Sequence, residues 1–202
     1  MIGDPDNRRR VVPARGARDV PVSLVEIVKV FVVLAITSDH AHVIDAVGIS
    51  LGTAGARETP APGDIRILAA MIHGQPHLVA MKPLSKLEKQ TEHYFTPAGG
   101  DAKFDFVGDI PGGKVQLTPD ADHAGYTAAF AVPLSFLEVP LQPGATLAAD
   151  VEVLLGGQGA RGLQTIARNF LYTPKRSDTS MTDDVPTESR LYPKYWGVAK
   201  VE

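Results

Sequence analysis

The chain has 202 residues, 44% of them hydrophobic, and a formal net charge of −3. This length and composition support one substantial hydrophobic core and therefore one domain. The slightly acidic balance provides no overall positive field, which argues against nucleic acid and anionic membranes as partners. Because the chain contains no cysteine, disulfide bonds, thiolate metal ligands and a cysteine nucleophile are excluded.

The N-terminal stretch MIGDPDNRRRVVPARGARD combines a basic run with Pro and Gly and lacks apolar periodicity. We interpret residues 1–22 as a mobile basic arm, with a functional basic patch as the alternative. The next run, SLVEIVKVFVVLAI, raises the alternatives of a membrane segment or an uncleaved export signal. Glu26 and Lys29 interrupt it and its β-branched residues favour a buried strand, so there is no clear signal peptide.

From residue 23 to residue 202, short apolar segments alternate with Gly and Pro, a pattern typical of an all-β sandwich or barrel. The segments DIRILAAMI and HLVAMKP, joined at HGQP, predict a hairpin. GYTAAFAV and ADVEVLL predict further strands with a period of two. The residues expected on the core faces are Ile65, Ile67, Ala69, Met71, Tyr126, Phe130, Val132, Val151, Val153 and Leu155. Asp150 and Glu152 are expected on the opposite face.

Two glycine motifs match catalytic or cofactor patterns but lack the context that those patterns require. GISLG matches a nucleophile elbow around Ser50, yet a loop rich in Gly and Pro follows it instead of a helix. GQGARG matches a dinucleotide fingerprint, but no alternating βαβ pattern precedes it. The segment after it, LQTIARNFL, has helical spacing. We interpret GISLG as a strand ending in a glycine turn and GQGARG as a hairpin loop.

The histidines and carboxylates do not form a specific catalytic or metal-binding pattern. His73 and His77 flank Gly74 and Pro76, so this pair cannot lie on a helix as zinc-binding pairs do. Pairs of carboxylates suited to glycoside hydrolysis matter only at a defined separation in space. We therefore predict a protein that is not an enzyme and that has no resident metal.

From about Asp45 onward the chain resembles bacterial domains related to family 9 carbohydrate-binding modules, a branch of the DOMON-like β-sandwiches. The matching stretches are DAVGISLGT, GDIRILAA with GQPHLVAMKP, AAFAVPLSFL, LAADVEVLLGG, and RNFLYTP leading into MTDDVPTESRLYPKYWGVAKV. The resemblance implies a two-sheet antiparallel, jelly-roll-like β-sandwich whose N-terminal part is short or divergent. It also implies that LQTIARNFLY is a strand, with GGQGARG as the hairpin loop before it.

What the resemblance implies for function is a non-catalytic module that holds an oligo- or polysaccharide, often beside other modules of a larger exported or periplasmic protein. Similar domains clamp the sugar between two aromatic rings. This chain has a single tryptophan, Trp196, near its C-terminal end. The alternative is therefore a structural or protein-interaction β-sandwich that has lost the sugar site.

The terminal stretch TDDVPTESRLYPKYW is the densest supply of aromatic rings and carboxylates in the chain. Its aromatic rings could stack on a sugar, while its carboxylates could accept hydroxyl hydrogen bonds or, as the family resemblance also suggests, bind calcium. The candidate ligand-binding residues, including two on the preceding strand, are Trp196, Tyr195, Tyr192, Asp183, Asp184, Glu188, Asn169 and Tyr172. The alternative is structural: Tyr192 and Trp196 pack the edge of the sandwich before a final strand, GVAKV, while Asp184 caps a turn begun by Pro186.

Overall fold

The structure, a computed structural model, describes residues 27–34, 46–72, 75–86, 90–96, 100–119, 126–139, 141–159, 162–174 and 190–201. The arm predicted for residues 1–22 lies outside these ranges. The strands in the described residues are β1 (Ile27–Leu34), β2 (Ala46–Thr53), β3 (Ile65–Ile72), β4 (Gln75–Lys82), β5 (Glu92–Thr96), β6 (Gly100–Phe104), β7 (Phe106–Asp109), β8 (Lys114–Pro119), β9 (Tyr126–Pro133), β10 (Thr146–Gly159), β11 (Gly162–Phe170) and β12 (Gly197–Lys200).

Every strand pair in the described residues is antiparallel. The largest sheet has the order β11-β10-β2-β3-β4-β7, and β12 also pairs with β10. A second sheet has the order β1-β9-β8, and β5 pairs with β6 in a small third sheet. Short 3-10 turns occur at Leu134–Phe136 and Pro193–Tyr195. The prediction of an antiparallel all-β protein is therefore confirmed at this level.

One hydrophobic cluster joins the two larger sheets. Its residues from the seven-stranded sheet and from the three-stranded sheet alternate along their strands, as the period of two requires. Members include Val47, Ile49, Ile65, Ile67, Ala69, Leu78, Ala80, Phe106, Ala128, Phe130, Val132, Phe136 and Leu147. The predicted inward positions at β3 and β9 are thus confirmed where side chains are described. Met71, Tyr126 and Leu155 lie in described strands, but their side chains are outside the part of the chain that the structure describes.

The ring of Phe106 meets that of Phe136 edge to face, with centroids 5.4 Å apart. This contact connects β7 to the turn after β9. Within the described ranges, no helix has the length and apolar character needed to cross a lipid bilayer.

The hairpin predicted around residues 156–162 is present between β10 and β11, but its loop is shorter than predicted. β10 continues through Gly159, β11 begins at Gly162, and a register irregularity lies between Leu155 and Gly156. Glycine tolerates such a bulge, so the ladder continues where the composition suggested a loop. The residues with helical spacing, LQTIARNFL, form β11 up to Phe170, because their backbone groups pair with β10.

The outer face of the large sheet, opposite the hydrophobic cluster, carries several buried polar side chains. Arg66, Asp150 and Glu152 are each 2% exposed, and Ser50 is 7% exposed in the middle of β2. The alternation correctly placed Asp150 and Glu152 opposite the core. The alternation gave no information on whether these two side chains are buried, because burial depends on what packs over that face.

Candidate functional site

The predicted binding residues that the structure describes lie in two segments of the chain, and the others are not described. Asp183, Asp184 and Glu188 lie outside the described residues, as does Pro186. Tyr192, Tyr195 and Trp196 surround the 3-10 turn before β12. Asn169 lies in β11, and Tyr172 follows the end of that strand. Only some of these residues share one surface.

Trp196 packs against the seven-stranded sheet at Gly52. A β-carbon built on Gly52 would lie 2.8 Å from Cζ3 of Trp196 and would also collide with the carboxylate of Asp64. The absence of a side chain in this part of β2 therefore creates the space that the indole ring and the carboxylate occupy. This contact supports the packing interpretation of Trp196.

Tyr172 is also used in packing, although 52% of it is exposed. Its ring lies so close to Gly197 that a β-carbon there would collide with it. The carboxylate of Asp150 fixes the adjacent backbone: Oδ1 accepts from the N–H of Tyr172 at 3.0 Å, and Oδ2 accepts from the N–H of Thr173 at 3.0 Å. Thr173 Oγ1 also donates to Oδ2 at 2.6 Å. Asp150 thus fixes the backbone near the point where the strand that pairs with this edge of β10 changes from β11 to β12.

Of the predicted residues that the structure describes, only Tyr192 lines a cleft with a volume of about 510 Å³. The partly exposed Tyr192 stands beside an apolar floor that includes the buried residues Phe104 and Leu191. The cleft is formed by four segments of the chain. Its lining residues are Glu58, Thr59, Pro60, Pro83, Leu84, Ala102, Lys103, Phe104, Arg190, Leu191, Tyr192 and Lys194.

One wall of the cleft is the loop between β2 and β3, which a buried ion pair fixes in place. Arg57 Nη2 donates to Asp64 Oδ1 at 2.5 Å, and Arg57 Nη1 donates to the carbonyl of Thr53 at 2.7 Å. The N–H of Ala61 donates to Asp64 Oδ2 at 2.8 Å. These bonds close the loop on both sides of residues 58–60, so the loop presents Glu58 and Pro60 to the cleft in one conformation.

The opposite wall, at Pro83 and Leu84, is fixed from below by Glu138. Its Oε1 accepts from Ser85 Oγ at 2.5 Å and its Oε2 accepts from the N–H of Lys86 at 2.7 Å. Lys82 Nζ, which is buried over the Phe136 ring, is 3.3 Å from Oε1. Burial alone would raise the pKa of Glu138, but these hydrogen bonds and the Lys82 charge outweigh it and lower the pKa.

Among the residues that the structure describes, the charged side chains that line the cleft are Lys103, Arg190, Lys194 and Glu58. Lys103 and Arg190 are exposed, and Lys194 Nζ is 2.6 Å from Glu58 Oε2. The hydrogen bond to Glu58 raises the pKa of Lys194. Lys194 also lies 5.1 Å from the centre of the Tyr195 ring. Tyr195 therefore lies beside Lys194 on the rim but does not itself line the cleft.

A separate group of charged side chains lies on the outer face of the large sheet. Glu152 in β10 receives hydrogen bonds from Arg66 in β3 and Arg168 in β11, with distances to Oε2 of 2.9 and 3.1 Å. Burial opposes ionisation of Glu152, but the two guanidinium groups outweigh this effect and lower its pKa. Gly48 leaves the space that the Glu152 side chain fills. This triad is a structural element that ties three strands together.

The remaining predicted motifs do not combine into a site. His77 Nδ1 lies 3.1 Å from Asp109 Oδ1 at the sheet edge, and His73 is outside the described residues. Among the residues that the structure describes, no group of three or more histidine or acidic side chains could hold a metal ion. Residues 54–64, which follow the strand containing Ser50, contain no helix, so the geometry of a nucleophile elbow does not occur there.

The sequence reasoning missed most of the cleft. Arg190 and Lys194 lie within the terminal motif, but only the aromatic and acidic residues of that motif were predicted to bind a ligand. The other lining residues come from the loops after β2 and β4 and from β6, which are distant in sequence. No local pattern could have joined them, because their proximity is a product of sheet topology.

The chain was compared with models of protein families, with curated proteins and with solved structures. None of the three comparisons found a match. The functional argument therefore starts from the chemistry of the cleft itself: one partly exposed tyrosine, an apolar floor and a charged rim.

Proposed function

We propose that this chain is a non-catalytic carbohydrate-binding module, with a jelly-roll-like β-sandwich related to family 9 carbohydrate-binding modules. Two features support the sandwich: antiparallel pairing of the described strands, and one hydrophobic cluster that receives residues from both larger sheets.

The observation that carries the proposed function is the position of Tyr192 in the cleft. The apolar face of a pyranose ring packs on an aromatic face, while its hydroxyl groups need hydrogen-bonding partners. The cleft offers both, because Tyr192 and the floor supply apolar surface and the exposed Lys103 supplies a hydrogen-bond donor. Its volume falls within the range of about 300–1,000 Å³ common to small-molecule sites.

The chemistry of the lining supports binding without catalysis. Glycoside hydrolysis requires two carboxyl groups that flank the scissile bond. In the part of the chain that the structure describes, the cleft lining includes one carboxylate, Glu58, and it is held by Lys194. The described lining can therefore orient a saccharide, and a single paired carboxylate does not make the acid and base of a hydrolase.

A second candidate function is a structural or protein-interaction domain, and one observation favours it. Two of the aromatic residues predicted to bind sugar, Trp196 and Tyr172, pack on glycines. In addition, Leu171, Tyr172 and Val198 are 57%, 52% and 76% exposed beside the same edge of β10. Exposed apolar side chains along a sheet edge are a common feature of interaction surfaces.

A glycan array followed by isothermal titration calorimetry separates the two candidates. A saccharide identified on the array is titrated into the wild-type chain, the Tyr192→Ala variant and a matched Tyr172→Ala variant, which removes a tyrosine outside the cleft. We expect Tyr192→Ala to weaken binding by about tenfold or more, equivalent to ~1.4 kcal/mol. Tyr172→Ala should leave the affinity nearly unchanged.

Circular dichroism confirms that each variant is folded before its affinity is compared. If Tyr172→Ala weakens binding and Tyr192→Ala does not, the sugar site lies outside the cleft. If no saccharide binds on the array or in pull-down with soluble polysaccharides, the interaction-domain function replaces the proposal.

A further inference from the structure

Glu138 contacts both of the segments that form the walls of the cleft, although it is not a lining residue. Its side chain is 6% exposed and lies beside the wall at Pro83 and Leu84. There Oε1 accepts from Ser85 Oγ at 2.5 Å, and Oε2 accepts from the N–H of Lys86 at 2.7 Å. Hydrogen bonds to a charged acceptor are stronger than neutral ones, so the carboxylate holds this wall in place.

The main chain of Glu138 contacts the other wall, at the end of the loop between β2 and β3. The N–H of Asp64 donates to the carbonyl of Ala61 at 3.0 Å, which closes a turn with Gly63 at a φ of +97°. A β-carbon on Gly63 would lie 2.7 Å from the carbonyl oxygen of Glu138. The turn therefore lies directly against the backbone of Glu138, and a glycine is needed both for the positive φ and for this close approach.

From these two contacts we infer that Glu138 is a positioning residue of the cleft: it fixes the two walls relative to each other, and ligand affinity depends on it. The inference rests on the proposed saccharide-binding function and identifies a residue through which the site is preorganised. Both walls are loops, which keep one conformation only where specific contacts hold them. Walls that are already in place spare the ligand the free-energy cost of ordering them.

Glu138 can serve as a common support because the chain around it is anchored in the core. Phe136, Leu137 and Val139 are buried members of the hydrophobic cluster. Lys82 Nζ donates to the carbonyl of Phe136 at 2.8 Å and lies 3.3 Å from Glu138 Oε1. Lys82 is the last residue of β4, directly before the wall that the carboxylate holds. The core, the carboxylate and this wall are therefore connected by one set of contacts.

Amide hydrogen exchange, followed by NMR on the full chain, tests whether Glu138 connects the walls. Gly63→Ala places a methyl group against the Glu138 carbonyl in one wall, and it should accelerate exchange of the Lys86 amide in the other by about threefold or more. The matched control is Gly55→Ala in the same loop. Gly55 has a φ of +112°, and a β-carbon there would meet no described atom within 4 Å. The control therefore introduces similar backbone strain without a contact to Glu138.

The control variant should leave exchange at Lys86 unchanged. Equal acceleration by Gly63→Ala and Gly55→Ala, or no acceleration by Gly63→Ala, would overturn the positioning role.

Isothermal titration calorimetry tests the dependence of affinity on Glu138. The probes are neutral tetrasaccharides of glucose, xylose and galactose, and the one that binds the wild type most tightly is titrated into the variants. Glu138→Ala should weaken binding by about three- to tenfold, because the ligand must then order the walls itself. Glu138→Gln keeps the length of the side chain and one oxygen acceptor, so it should recover part of the affinity.

Glu152→Gln is the control for a general loss of stability. It removes the charge of another buried carboxylate, whose partners Arg66 and Arg168 do not line the cleft. This variant should be less stable than the wild type but should bind the tetrasaccharide equally well. Should Glu138→Ala not fold, weaker binding by Glu138→Gln together with unchanged binding by Glu152→Gln supports the same conclusion.

The remaining outcomes separate this inference from the proposed function. Unchanged affinity in the Glu138 variants overturns the inference and leaves the proposed function standing. Equal losses of affinity in Glu138→Gln and Glu152→Gln also overturn it, because reduced stability would then explain both. If no saccharide binds the wild type, the proposed function fails and the inference fails with it, and faster exchange at Lys86 in Gly63→Ala would then report structural support alone.

Discussion

The carboxylate of Asp64 accepts a hydrogen bond from the guanidinium of Arg57 at 2.5 Å, across the loop that joins β2 to β3. Asp64 is completely buried, while the Arg57 side chain is 22% exposed. Because Arg57 also bonds the carbonyl of Thr53 and Asp64 bonds the N–H of Ala61, this one pair fixes both ends of the loop. A wall of the cleft thus depends on a pair that does not itself line it.

Asp64→Ala is expected to lower the free energy of unfolding by about 1–3 kcal/mol, because it leaves buried donors without an acceptor. Urea denaturation measures this change. Asp109→Ala, which removes an aspartate with a side chain 68% exposed, is the matched control and should stay within about 0.5 kcal/mol of wild type. Equal losses for the two variants would contradict the assigned role of Asp64.

Gly52→Ala should destabilise the protein by roughly 1–3 kcal/mol, because the added methyl group overlaps the Asp64 carboxylate and the Trp196 ring. Gly108 in β7 gives the control. A β-carbon there meets only the Phe106 ring, at 3.5 Å, so Gly108→Ala should be neutral or slightly stabilising. The two melting temperatures, measured side by side, decide the point; a tolerated Gly52→Ala would mean that Trp196 does not pack there.

Glu152→Ala is expected to cost about 3–5 kcal/mol, since it leaves the guanidinium groups of Arg66 and Arg168 buried without their shared carboxylate. Glu152→Gln retains an acceptor and should cost less. The exposed Glu58 serves as control, and Glu58→Ala should change stability little. Chemical denaturation of the three variants tests this order, and a Glu58→Ala loss equal to that of Glu152→Ala would refute it.

Stability should also fall in acid. The pKa values of Glu138 and Glu152 are lowered in the folded protein from their ordinary value of 4.5. Over the interval below 4.5 the unfolded chain therefore binds more protons than the folded one, so protons favour unfolding. The stabilisation is fully present above about pH 4.5 and is lost as the pH falls through the lowered pKa values.

The pH effect is checked by thermal unfolding from pH 7 to pH 3. When melting temperature is plotted against pH, Glu138→Gln should make the fall at acid pH less steep and leave the shape of the plot above pH 5 unchanged. If the melting temperature falls identically at acid pH in the wild type and the variant, the Glu138 contacts with Ser85 and Lys86 do not contribute to the acid sensitivity.

Local sequence patterns were sufficient for part of the fold. The period of two placed Ile65, Ile67 and Ala69 on the core face of β3, and the hairpin from β3 to β4 followed from its two alternating segments. These features could be predicted because strand alternation is a property of neighbouring residues. The segment at Leu163–Leu171 shows the limit: its spacing fits a helix, yet most of it pairs with β10 as a strand.

The sequence by itself predicted the β-strand architecture that the described residues show, excluded cysteine chemistry, and indicated the polar and apolar faces of the main strands. Only the tertiary structure decided that Glu152 is buried between two arginines, that Trp196 fills the space above Gly52, and that Tyr192 shares a cleft with Lys103. The physical reason is that burial and proximity depend on pairing between distant segments. Sequence spacing reports only which way a side chain points along its own strand.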